Sequence, residues 1–202
     1  LVSVLLSGHI TLAKDPAVDM KPVSGFGGST RSIAVNMEYA YVCQGATLFI
    51  YDISDPAQTG TISAITFSVS PIDVAAFGNV VYVLLADEMT YPVEKMTLVV
   101  IDISRPTAPV QRGSLDMDVR EGRLVTADED HVLLASGQDG LFVINVKDPD
   151  NVVQTTKLDV DANDVFVRGT LAYVAEGRHS FAVYDISDYM SIVKRSSLDP
   201  YG

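Results

Sequence analysis

The segment Glu38-Tyr39-Ala40-Tyr41-Val42-Cys43-Gln44-Gly45-Ala46-Thr47-Leu48-Phe49-Ile50-Tyr51-Asp52-Ile53-Ser54-Asp55-Pro56 returns three more times along the chain. The second copy is Val80–Leu85, an insertion, then Leu98–Pro106 with Asp102-Ile103-Ser104-Arg105-Pro106 at its end. The third runs His131–Pro149, and the fourth runs Leu171–Gly177 and Phe181–Asp188. Tyr41 to Tyr82 is 41 residues, Tyr82 to Leu133 is 51 and Leu133 to Tyr173 is 40, the long interval holding extra residues between Ala86 and Thr97. A self-similar period of about 40–50 residues means a stack of equal units, each too small to bury its own apolar side chains.

Each unit reads as four short strands. In the first they fall at about Ser32–Asn36, Ala40–Cys43, Leu48–Asp52 and Thr59–Phe67, rich in the Val, Ile, Tyr and Phe that suit a pleated, half-buried surface. Gly78 and Gly169 stand at the first turn, and Gly45, Gly140 and Gly177 near the second, where tight hairpins need positive φ. Asp52, Asp102, Asn145 and Asp185 share one place at the end of strand three. A short side chain there accepts a backbone N–H one or two residues on and closes a turn, so these are turn-makers rather than catalytic carboxylates. Four strands per unit at this period is the signature of an all-β propeller of four-stranded antiparallel blades. The expected blades are about 31–67, 72–115, 120–158 and 163–198 within a domain of residues 31–202. Residues 1–30 form an N-terminal strand and a Gly/Pro-rich connection.

The Tyr-Val … Leu-x-(Val/Ile)-x-Asp-Ile-Ser-Asp-Pro unit resembles the LVIVD repeat, with the third copy divergent at Asn145-Val146-Lys147. The resemblance spans about residues 31–197. It implies a β-propeller of surface or secreted proteins of bacteria, archaea and some eukaryotes, mostly without an assigned activity. With no tryptophan in the chain, the Trp-Asp, Asp-box and Tyr-Trp-Thr-Asp signatures of other propellers are absent.

Four blades are countable, and the two ends stay open to two accounts. Leu1–Leu6 looks like an outer strand of a preceding blade, comparable with Val110–Leu115; read as a signal h-region it lacks a basic n-region. Either the chain is a piece of a propeller with more blades, or residues 1–30 make a reduced fifth blade. The two faces an open propeller leaves exposed favour the piece.

Charge narrows the partners. A net charge of −12 and a pI near 4.4 argue against nucleic acid and anionic membrane, both of which need a basic face. No run of about 18 apolar residues occurs, so no helical membrane insertion is expected. Cys43, the one cysteine, sits in an apolar strand and reads as a small buried side chain. Gly25-Phe26-Gly27-Gly28-Ser29 lacks the Lys-Ser/Thr that a phosphate loop requires.

Propellers bind at the axial funnel, where the innermost strands begin. Aligning the units on the first turn puts Arg31-Ser32, Ile72-Asp73, Arg123-Leu124 and Asn163-Asp164 there. Arg31, Asp73, Arg123 and Asp164 are therefore the candidate binding residues, for a polar ligand or a cation; the competing reading has them as mutually paired charges along a water-filled channel. Asp159, Asp161 and Asn163 offer alternating oxygen ligands for calcium, but an EF-hand is excluded by Asp164 at its glycine position and Thr170 at its glutamate position. No other cofactor is implied. His9, His131 and His179 lie in unrelated repeat positions, which speaks against zinc. Asp116, Asp118, Asp128, Glu129 and Asp130 read as a solvated acidic face.

The insertion Asp87–Met96 carries Met89, Tyr91 and Met96, side chains favoured at interface cores, in what reads as an exposed hairpin extension contacting a protein partner. No nucleophile elbow or Cys/His pair is present. The expected function is a non-enzymatic interaction and structural scaffold, extracellular or at the cell surface, binding a protein partner or assembling with itself. The alternative is a propeller enzyme, a metal-assisted lyase or hydrolase, with its site in the axial funnel.

Overall fold

The computed structural model describes residues 30–55, 58–87, 93, 95–126, 128–177 and 180–199. The strand expected at Leu1–Leu6, the Gly/Pro-rich connection and the glycine cluster at 25–29 lie outside these residues, as do Met89, Tyr91, His9 and His179.

Sixteen strands form four antiparallel sheets in strict chain order. Blade 1 contains β1 (Thr30–Asn36), β2 (Tyr39–Gln44), β3 (Thr47–Asp52) and β4 (Gly60–Thr66). Blade 2 contains β5 (Ser70–Phe77), β6 (Val80–Ala86), β7 (Met96–Asp102) and β8 (Val110–Met117). Blade 3 contains β9 (Arg123–Thr126), β10 (His131–Ala135), β11 (Leu141–Asn145) and β12 (Val153–Leu158). Blade 4 contains β13 (Ala162–Arg168), β14 (Leu171–Glu176), β15 (Ser180–Asp185) and β16 (Val193–Leu198). The blades span Thr30–Thr66, Ser70–Met117, Arg123–Leu158 and Ala162–Leu198.

The turns form as their residues dictate. Gly78, Gly169, Gly45 and Gly177 all take φ between 54° and 60°. In blade 1 the first-turn place is held by Met37, which takes φ 54° despite its side chain. At the corner after strand three, the Asp52, Asp102, Asn145 and Asp185 Oδ1 atoms accept the N–H two residues on, from Ser54, Ser104, Lys147 and Ser187, at 2.8–3.1 Å. The Ser54 hydroxyl and N–H hold the Asp52 carboxyl below its ordinary range, and Arg195 with Ser187 does so more strongly for Asp185.

Because side chains alternate along a strand, each blade has two apolar faces. Tyr41, Cys43, Leu48 and Ile50 of blade 1 pack against Val81, Val83, Val99 and Ile101 of blade 2. The other face of blade 2, with Tyr82, Leu84, Leu98 and Val100, packs against Val132, Leu134, Phe142 and Ile144 of blade 3. Leu133, Ala135, Leu141 and Val143 of blade 3 meet Ala172, Val174, Ala182 and Tyr184 of blade 4. Each fully buried side chain of this size contributes about 1.5–3 kcal/mol, so the three junctions carry the fold. Each core lies between consecutive blades, and none joins blade 4 to blade 1 among the described residues. Cys43 lies fully buried in the first junction, and burial followed by the nearby Asp73 charge pushes its thiol up to about 12, which keeps it protonated and inert.

Met96 is placed differently from the sequence reading. It opens β7 rather than sitting on an exposed loop, and at 3% exposure it belongs to the core between blades 2 and 3. Its place in strand alternation, opposite Ala86, turns it inward.

Candidate functional site

The innermost strands β1, β5 and β13 each carry a register irregularity near their start, between Thr30 and Ser32, Pro71 and Asp73, and Ala162 and Asp164. A bulge of this kind adds one residue and re-aims the next side chain. The consequence at Asp73 is large. Its carboxylate is 8% exposed and lies between three blades. Oδ1 accepts the Ser32 hydroxyl of blade 1 at 2.5 Å and the Val74 N–H at 3.0 Å, while Oδ2 accepts the Leu124 N–H of blade 3 at 2.7 Å. Asp73 is thus a latch joining blades 1, 2 and 3.

Asp164 holds the same place in blade 4. Its Oδ1 accepts the Val165 N–H at 2.9 Å, as Asp73 does for Val74, but the carboxylate is exposed. The four residues proposed for the funnel therefore separate. Arg31 and Arg123 line one hollow of about 350 Å³ with Arg120, Glu121, Ile72 and Met96, whereas neither Asp73 nor Asp164 lines it. Three arginines and one glutamate among the lining residues suit an anionic group, where the sequence also allowed a cation. Arg120 additionally pairs with Asp139 at 3.6 Å, and Arg123 donates to the Gly122 carbonyl at 3.0 Å.

The calcium candidates have other partners in two of three cases. Asp159 pairs with Lys157 at 3.2 Å, and Asn163 donates its side-chain amide to the Gly177 carbonyl. Among the described residues no group of three or more His, Cys, Asp or Glu side chains is placed to hold a metal ion. His131 instead stacks on Tyr189 at 3.9 Å while its Nδ1 meets Asp128 Oδ1 at 3.0 Å. Tyr189 stands where other blades have the corner proline, and its hydroxyl donates to Asp128 Oδ2 at 2.8 Å, pinning blade 4 to blade 3. Several residues of the expected acidic face are likewise paired: Asp116 with Lys95 at 2.6 Å and Asp130 with Lys147 at 3.0 Å.

Sequence reasoning expected two exposed end faces but did not name the residues on them. Blade 4 presents Phe166, Tyr173, Phe181 and Leu198 on the side away from blade 3, with Tyr173 6.4 Å from Phe166 and 6.1 Å from Phe181 between ring centroids. Phe166 and Leu198 are 63% and 64% exposed. Blade 1 presents Ile33 and Val35, each 61% exposed, with Phe49 and Tyr51, on the side away from blade 2. The signal was available: Phe166, Tyr173 and Phe181 stand on the face that Tyr82 and Leu84 use in blade 2.

A radial series of four-stranded meanders packed face to face, with a funnel at the start of the innermost strands, is a β-propeller. The chain belongs to the LVIVD repeat family, whose profile matches residues 27–64, 72–117 and 160–198, more than half of the sequence. Blade 3, with its divergent Asn145-Val146-Lys147 corner, lies outside those matches but keeps the same four strands. Comparison with curated proteins gives no match. Among solved structures, the chain is similar to the computationally designed Ika4 protein at 11% identity and TM-score 0.61, over 82% of this chain and 96% of that one. It is also similar to BamB from Moraxella catarrhalis at 13% identity and TM-score 0.58, over 79% of this chain and 48% of that one. The chain thus spans about half the length of BamB.

Proposed function

We propose that the protein is a non-enzymatic interaction scaffold, secreted or held at the cell surface, working through the two end faces of its blade array. The observation that carries this reading is the match in register between covered and uncovered faces. Three junctions bury the same strand positions that blade 1 and blade 4 present to solvent as Ile33, Val35, Phe166 and Phe181. Exposed apolar patches of this kind mark interaction surfaces. Membership of the LVIVD repeat family supports the extracellular setting by resemblance alone. Among the described residues no helix is long and apolar enough to cross a membrane.

One observation favours the enzyme reading, the arginine-lined hollow beside Glu121 at the funnel. The two readings part on turnover. A panel of glycans and esters, assayed with and without calcium, is expected to give none; calcium-dependent turnover that is lost in Arg123→Ala would replace the scaffold by a metal-assisted lyase or hydrolase.

A further inference from the structure

Each blade junction has a middle and an outer part that recur from blade to blade, and the junction of blades 2 and 3 adds an inner one. At the inner end, Asp73 of blade 2 takes the Leu124 N–H of blade 3. In the middle, two apolar sheet faces meet. At the outer end, the strand-four residues Ser63, Gly113 and Thr156 each donate to a carbonyl at the corner of the next blade: Pro106 at 2.6 Å, Pro149 at 2.7 Å and Tyr189 at 2.6 Å. The repeat alignment continues this set into blade 4. Asp164 stands at the inner place, Phe166, Tyr173 and Phe181 occupy the face, and Ser196, exposed and paired with Val183 in the register, stands at the outer place.

Blade 4 is therefore equipped to receive one more blade, and blade 1 carries the complementary receiving face. Blade 1 has Ile33 where blade 3 has Leu124, the residue whose N–H Asp73 takes. We propose that two copies of this chain close one ring head to tail, blade 4 of each copy packing on blade 1 of the other, with Asp164 of one accepting the Ile33 N–H of the other. This rests on the scaffold reading above and names its partner as a second copy.

Three observations favour a second copy. The surface that blade 4 presents is already filled three times within this molecule by a blade of this family, so the junction continues an interface the fold has built. The faces of blades 1 and 4 also differ, so the contact is heterologous, and heterologous contacts close when the rotation allows a ring. A two-fold pairing of blade 4 with itself would leave the Ile33 face of blade 1 unused. Finally, the arc matches 48% of the BamB chain, so two arcs account for nearly the whole of it, while an arc-length chain, Ika4, is itself a crystallised protein. A net charge of −12 on each copy opposes association, so salt is expected to strengthen the pair by screening.

Light scattering of the full 202-residue chain tests the proposal. The expected mass is twice 21.7 kDa, with the two-chain fraction rising as salt is added. Ile33→Asp and Phe166→Asp, both at well-exposed positions, should each give single chains with unchanged β-rich circular dichroism, because each blocks one half of both junctions. Mixing the two variants should restore a two-chain species through the one junction with both faces intact. Asp164→Ala should weaken the pair by about a hundredfold, the loss of one charge-assisted hydrogen bond at each of the two junctions. A single-chain mass for the unmodified protein, an open-ended series of masses, or a mixture that fails to pair would overturn self-closure. The scaffold reading would then stand or fall on whether the end faces are covered in the native state, a separate measurement.

Discussion

Asp73→Ala is expected to lower the stability of the fold by about 3 kcal/mol, because it removes the acceptor for one hydroxyl and two backbone N–H groups at once. The carboxylate is buried, and both of its oxygens accept. Without it the Leu124 N–H faces an apolar gap between blades 2 and 3, and a buried donor left unpaired costs about 1–3 kcal/mol by itself. For a chain of this length the change corresponds to a fall in melting temperature of roughly 6–12 °C. Asp73→Asn should recover little, since its amide nitrogen would confront either the Leu124 N–H or the Val74 N–H and Ser32 hydroxyl. The control is Asp164→Ala, at the equivalent place on the exposed end of the arc, where a loss below about 1 kcal/mol is expected. Equal losses at the two positions, measured by chemical denaturation, would mean that Asp73 is not a latch.

A comparable loss is expected from Leu134→Ala, about 3–4 kcal/mol. Leu134 is fully buried in the junction between blades 2 and 3, where a Cβ added at Gly122 would come within 2.7 Å of its side chain, so packing there leaves little room for collapse around a cavity. Ile33→Ala, on the uncovered face of blade 1, removes a side chain of similar size that is 61% exposed. Its effect on unfolding of the single chain should be about 1 kcal/mol or less. If two copies close a ring, the cost of Ile33→Ala appears in dissociation of the pair instead. Similar unfolding losses at Leu134 and Ile33 would contradict the assignment of covered and uncovered faces.

Much of the architecture was legible because repeats and turns are local. The Asp-Ile-Ser-Asp-Pro corner, the positive-φ glycines and the Val/Ile/Tyr-rich strands each depend on a few neighbouring residues, and all appear where the alternation placed them. Even blade 3, whose Asn145-Val146-Lys147 corner departs from the others, forms because Asn145 accepts the Lys147 N–H just as Asp52 accepts that of Ser54.

The funnel was read less well, for a reason strand alternation cannot show. A bulge before Ser32 and before Asp73 adds one residue to the strand, so the side chain that alignment aims at the axis points sideways to the neighbouring blade. Arg31 and Arg123, by contrast, line one hollow together with Arg120 from the preceding loop. Met96 was misjudged because the end of the insertion could not be located from composition, and the last residue of a loop became the first of a strand. The residues of the end faces went unnamed because one apolar strand face looks like another until the blades are counted around the axis.

The account's central claim is that the faces of blades 1 and 4 are covered when the protein is at work. Hydroxyl-radical labelling measures this side chain by side chain, comparing the protein in its native setting with the purified chain at high dilution and low salt. Tyr82 and Phe142, inside a covered junction, should resist labelling in both samples. Phe166, Phe181 and Ile33 should label readily in the dilute chain and be protected several-fold in the native state. Equal labelling of these three in both samples would contradict the claim and leave the end faces as ordinary surface.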